Sequence, residues 1–162
     1  MLVRPALPGD DEAIRKIITP IIRSGETYAL PSDWTEEEAL AYWTSPAHTV
    51  FVADDGAVAG TYYIRANQRG GGSHVANCAF MTAPSATGRG VASAMCTHAL
   101  RYAAEAGYLA MQFNFVVSTN TRAIALWRRF GFEIVGRLPQ AFRHPTLGLV
   151  DALVMYRKPA VG

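Results

Sequence analysis

Charged side chains are scarce in this chain: 17% of its residues are Asp, Glu, Lys or Arg, against roughly 25% in an average soluble domain, while 50% are hydrophobic. That balance excludes a disordered polypeptide and leaves apolar surface over, so a homodimer is expected, with the C-terminal strands as its face. An excess of one sign is missing too. Lysine and arginine number 15 against 13 acidic residues, a net charge of +2 without any basic run, so nucleic acid is not an expected partner. No apolar stretch reaches the roughly 18 residues a membrane span takes. Met1-Leu2-Val3-Arg4-Pro5 lacks the charged-then-apolar order of a signal peptide, so a cytoplasmic protein without a membrane partner is expected. Cysteine is limited to Cys78 and Cys96, which suits a reducing compartment better than a disulfide framework. His48, His74, His98 and His144 are scattered, so no metal is expected.

At 162 residues one domain is expected, spanning 1–162. Residues 2–6 read as a strand, and Asp10-Asp11 as the cap of a helix with Ile14, Ile17, Ile18, Ile21 and Ile22 at helical spacing, bent or shortened by Pro20. A loop over 24–31 follows, and Thr35-Glu36-Glu37-Glu38 forms a capping box opening a short helix through Trp43. Asp55-Gly56 joins two runs, 49–53 and 57–66, as a hairpin, and residues 74–83 form a third strand after Gly70-Gly71-Gly72-Ser73. Beyond Pro84 the period changes: Val91, Met95, His98, Tyr102 and Ala106 share one helical face up to Gly107. A strand at 109–117, a helix capped by Thr119-Asn120 and stopped by Gly131, and strands at 132–138 and 149–157 complete the order βααβββαβαββ. Its strand-helix-strand section calls for a right-handed crossover between parallel neighbours.

Chemistry concentrates in Thr87-Gly88-Arg89-Gly90-Val91-Ala92-Ser93, where a strand gives way to a helix. Residues without bulk let backbone N–H groups close on an anion, and the helix N-terminus adds partial positive charge. A Walker loop would need a Gly-Lys-Ser/Thr ending that is absent. A dinucleotide fold would need a third glycine or alanine where Ser93 stands and an acid ending the next strand, which has none.

Gly90 and Ala92 instead resemble the pyrophosphate loop of the GNAT N-acetyltransferases, Gln/Arg-x-x-Gly-x-Gly/Ala, with Thr87 in place of its first residue. Asn120-Thr121-Arg122-Ala123-Ile124-Ala125-Leu126-Trp127-Arg128-Arg129-Phe130-Gly131-Phe132 is similar to that family's Asn-x-x-Ala-x-x-Leu-Tyr-x-x-x-Gly-Phe segment. The resemblance implies an α/β GNAT fold: a mixed, mostly antiparallel sheet of about seven strands, splayed between the fourth and fifth, flanked by about four helices. It implies acetyl-CoA as cofactor, with its pantetheine arm in the splay against the backbone of Phe80, Met81 and Thr82, and its pyrophosphate on the amides of Gly88 to Ser93. Thr87 and Asn120 join the cofactor site, and Arg89 either adds charge at its rim or is a solvated first-turn arginine.

The family's tyrosine aligns with Trp127, whose indole N–H does not transfer a proton near neutral pH. Trp127 is therefore a thiolate hydrogen-bond donor at most, or a packing residue. Asn77 and Asn114 stand in strands otherwise poor in polar groups, where each either orients substrate or satisfies bulged backbone. Their surroundings, 73–77 and 113–120, are similar to those of fungal proline-analogue N-acetyltransferases, which implies a small amino or imino acid as acceptor. Glu26 is the first candidate for the base that frees the amine, ahead of His74, Cys78 and His144; Asp151 either binds the amine or pairs with an arginine. Tyr28, Trp34, Tyr62 and Phe142 are candidate pocket walls, and Arg143 with His144 a candidate contact for an anionic acceptor. The expectation is direct acetyl transfer to a small-molecule amine; an acyl-CoA sensor or a protein N-acetyltransferase is the alternative.

Overall fold

The computed structural model describes residues 1–158. Seven strands form one sheet: β1 (Leu2–Pro5), β2 (Thr49–Asp54), β3 (Val58–Ala66), β4 (Val75–Thr82), β5 (Ala110–Val117), β6 (Glu133–His144) and β7 (Gly148–Arg157). Their order is β1-β2-β3-β4-β5-β7-β6, antiparallel except for the β4–β5 neighbours. Helices α1 (Asp11–Ser24), α2 (Glu36–Trp43), α3 (Val91–Glu105) and α4 (Thr121–Arg129) cover it.

Strand alternation divides the core between the two faces. Phe51, Tyr62, Ile64 and Phe80 pack with Val91, Met95 and Trp127, whereas Val52, Tyr63 and Met81 pack with the stripe of α1, Ile14, Ile17, Ile18 and Ile22. Each of those isoleucines is buried, worth about 1.5–3 kcal/mol apiece, which holds α1 to the sheet. The helix accommodates Pro20 without stopping there and ends four residues later, where Gly25 takes a left-handed φ of 66°.

Two local expectations change. Asp10 makes no side-chain cap on α1; its carboxylate accepts from Leu7 N–H at 2.7 Å and from the Arg4 guanidinium at 2.8 and 3.0 Å, closing the turn before the helix. The last two strands form one long hairpin rather than two short strands and a loop, β6 running through Pro139 to His144. A bulge between Leu138 and Phe142 absorbs the proline, and Gln140 has a φ of 50° there. Asp151 pins that bulge, accepting from Gln140 N–H at 2.9 Å and Arg137 Nη1 at 2.7 Å, so it is the arginine partner of the two roles considered.

Candidate active site

β4 and β5 stay together for two rungs, Val75 with Ala110 and Ala76 with Met111, and then diverge. One side chain bridges the point of divergence: Asn77 Nδ2 donates to the Gln112 carbonyl at 3.0 Å, satisfying an acceptor that the missing ladder would otherwise leave bare. Asn114 lies just beyond, accepting from Gln112 Nε2 at 2.9 Å and donating to Asn67 Oδ1 at 2.6 Å. Both asparagines line the opening, and both are already engaged with the strands that form it.

Hydrogen bonds from Asn67 N–H to the Val75 carbonyl and from Ala83 N–H to the Ala59 carbonyl fix the phase of the β3–β4 ladder. Odd-numbered residues of β4 therefore bond β3, and the peptide groups of Cys78, Phe80 and Thr82 face the opening. Met81 turns its backbone toward β3, so of the three residues expected to meet a pantetheine arm only Phe80 and Thr82 have peptide groups directed that way. The Tyr28 hydroxyl donates to the Phe80 carbonyl, and burial raises its pKa, keeping it a donor.

Two cavities meet here. One of about 490 Å³ is bounded by the diverging strands and by Tyr28, Tyr42 and Tyr63. The other, about 420 Å³, lies under the start of α3 and along α4. Phe80, Thr82, Thr87, Asn120, Ala123 and Trp127 line both, so they form one passage. In the second cavity Gly88 and Gly90 adopt φ of 82° and 79°, no side chain caps α3, and Val91, Ala92 and Ser93 present its first turn. A Cβ on Gly90 would meet nothing within 4 Å, so the space before these amides is open.

Arg89 is directed elsewhere, paired with Asp55 at 2.5 Å in the β2–β3 turn. Arg122 and Arg129 line the second cavity instead, with an Arg122 Nη2 3.7 Å from where a Gly88 Cβ would be. The sequence reading missed both, although the first follows the Asn120 cap by two residues. Glycine-bordered amides, two guanidiniums and a slot between strands fit a phosphate-bearing carrier with an extended arm.

A profile of the Acetyltransferase (GNAT) family matches residues 14–132. The chain belongs to that family. GNAT membership makes it an acetyl-CoA-dependent acetyltransferase. Among GNAT relatives, the N-acetyltransferase aca1 of Schizosaccharomyces pombe is 29% identical over 159 residues, covering 86% of this chain and 76% of that protein. A GCN5-related N-acetyltransferase from Kribbella flavida superposes with a TM-score of 0.91 at 41% identity, over 97% of this chain and 96% of the other. Salmonella typhimurium yncA, solved with acetyl-CoA, shares the GNAT fold at a TM-score of 0.84 and 20% identity, over 98% and 93% of the two chains.

Where the two cavities meet Trp127 is buried, its ring 5.1 Å from Phe80 and 4.9 Å from Phe113, and it walls both. Asn120 caps α4 through a hydrogen bond from Ala123 N–H at 3.4 Å. Cys78 lines the larger cavity, and burial pushes its thiol well above the usual range, so it stays protonated. Glu26 is exposed and does not line the cavity, although Thr27 and Tyr28 beside it do. Arg143 and His144 lie on β6 away from the lining, Arg143 exposed, and His74 is also exposed. Tyr62 faces α3 with its hydroxyl 2.7 Å from His98 Nδ1, and Phe142 and Trp34 pack outside the cavity. Among the described residues no carboxylate or imidazole lines the cavity between the strands, and the one charged side chain there is Arg65 of β3, which the sequence reading passed over.

Proposed function

We propose that this protein transfers acetyl from acetyl-CoA directly to the free amine of a small amino or imino acid. The observation carrying this is the continuous passage from the glycine-bordered first turn of α3, through the gap between β4 and β5, to an aromatic-walled cavity. Acetyl-CoA supplies an activated acyl thioester. The amides of Gly88, Gly90, Val91, Ala92 and Ser93, with Thr87, hold its pyrophosphate, helped by Arg122 and Arg129. The Phe80 N–H and the Thr82 peptide groups on the open edge of β4 face the pantetheine arm, the Phe80 carbonyl already accepting from Tyr28, and Asn120 and Trp127 close its other side.

Tyr28, Asn77 and Asn114 orient the acceptor across the cavity. With no acidic or imidazole side chain among the described lining residues, the ammonium proton leaves to water, and Glu26 at the loop outside is the acceptor of that relay. A neutral, buried thiol makes a poor nucleophile, so Cys78 takes no acetyl group itself. The same reading makes the protein a cytoplasmic homodimer. Its two cysteines are free and buried, and Val135, Leu138, Leu147 and Leu149 expose apolar surface on the last hairpin.

Incubation with acetyl-CoA and a panel of free amino acids, imino acids and peptides, following thiol release, tests the reading. Thiol release with a free amino or imino acid is expected; acetyl-CoA binding with no thiol released in the presence of any of these amines refutes it. The Cys78→Ala variant should keep at least half of the turnover. Its complete loss with acetyl-CoA binding intact would overturn direct transfer.

A further inference from the structure

Arginines elsewhere in this fold that serve structure have acids beside them: Arg4 has Asp10 and Asp54, Arg89 has Asp55, Arg137 has Asp151. Arg65 does not. It is half-buried at the end of β3, lines the cavity where β4 and β5 part, and enters no ion pair among the described residues. Its Nε donates to Asn77 Oδ1 across the strand register at 3.4 Å, and its guanidinium carbon lies 6.0 Å from the centre of the Tyr63 ring. Those contacts hold the stem. They leave both terminal nitrogens without a hydrogen-bond partner among the described residues, in a lining that otherwise contains only neutral side chains.

We infer that Arg65 is the anion-binding residue of the acceptor site and that the acceptor carries a carboxylate. A guanidinium at a cavity wall with no counterion beside it among the described residues favours an incoming oxyanion, and its paired N–H groups match the two oxygens of a carboxylate. The same amide network sets the orientation. Asn77 steadies Arg65 through its oxygen and bridges to β5 through its nitrogen, so the carboxylate is held at a fixed place relative to the fork. An acceptor with its amine one carbon from the carboxylate would be anchored at one end while the other is presented to the fork. The direction of the amine rests on the acetyl-transfer reading; the anion site does not.

Two measurements separate the claims. Free amino and imino acids, each paired with its carboxamide, are assayed for thiol release, and the same compounds are titrated by calorimetry into protein saturated with coenzyme A, where no transfer takes place. Wild-type protein should prefer acids to carboxamides. Arg65→Gln should raise KM for the acids by about 100-fold with kcat changed less than about fivefold, leave KM for acetyl-CoA unchanged and abolish the preference; Arg65→Lys should recover part of it. Thermal unfolding of both variants guards against loss of fold. Acids that bind in an Arg65-dependent way without being acetylated would refute acetyl transfer to them and uphold the anion site. Equal binding of acids and carboxamides by the wild type, binding of neither, or an equal loss for both in Arg65→Gln would overturn it.

Discussion

Gly60 of β3 shows how closely the sheet and the cavity under the start of α3 are coupled. It pairs with Ala53 on one side and Thr82 on the other, and a Cβ there would sit 2.7 Å from Val91 Cγ1 and 2.9 Å from Met95 Cε. The methionine tip can swing away. The valine methyl cannot, because it is one bond from Cβ in a buried, β-branched residue that opens α3 directly after Gly90. In Gly60→Ala the first turn of α3 must therefore withdraw by several tenths of an ångström. Overpacking of this kind costs about 1–3 kcal/mol, a fall in Tm of about 3–10 °C for a chain of this length. The displaced turn carries the open amides of Val91, Ala92 and Ser93, so Kd for coenzyme A should rise about tenfold. Circular dichroism melting and calorimetric titration measure the two effects. Adding Val91→Ala removes the colliding methyl and should cost less in the Gly60→Ala background than in the wild type. Wild-type Tm and affinity in Gly60→Ala, or strictly additive losses in the double variant, would refute the coupling.

Asn77→Ala leaves the Gln112 carbonyl without its donor at the point of strand divergence. A loss of about 1–3 kcal/mol in urea-unfolding free energy is expected, together with faster amide exchange in β5 beyond Met111. Arg122→Gln should weaken coenzyme A binding about tenfold and flatten its salt dependence, while Arg89→Gln, which loses only the pairing to Asp55, should leave binding within about twofold. Burial against Tyr63 lowers the pKa of His48, and His98 is lowered by burial too. Each then binds a proton more readily unfolded than folded, so stability is full above about pH 6.5 and declines as pH falls through the folded values. His48→Gln should reduce the drop in urea midpoint between pH 7.5 and 5, as measured at matched ionic strength; an unchanged drop would show that this ring is not part of it.

Strand and helix order was legible because local chemistry and long-range packing agree. The isoleucine stripe of α1, the Thr35 capping box and the Asp55-Gly56 turn each specify their own conformation, and the tertiary contacts reinforce them. Pro139 misled for the opposite reason. Locally it ends a strand, but a bulge held by Asp151, distant in sequence and adjacent in the hairpin, carries β6 past it.

The site divides along the same line. A turn that needs left-handed glycines before a helix is written in consecutive residues, so the turn at Gly88 to Gly90 and the helix start after it could be read from the chain alone. Which guanidinium faces it depends on pairings between distant residues: Arg89 is drawn off by Asp55, and Arg122 stands in its place. Likewise the residue types of Asn77 and Arg65 were visible, but not that the first ties a parting pair of strands and the second lines the gap with no ion-pair partner among the described residues. Sequence determines what each short segment prefers to be. Only folding decides which charges find partners and which remain for a ligand, because that depends on distances between segments that no local preference contains.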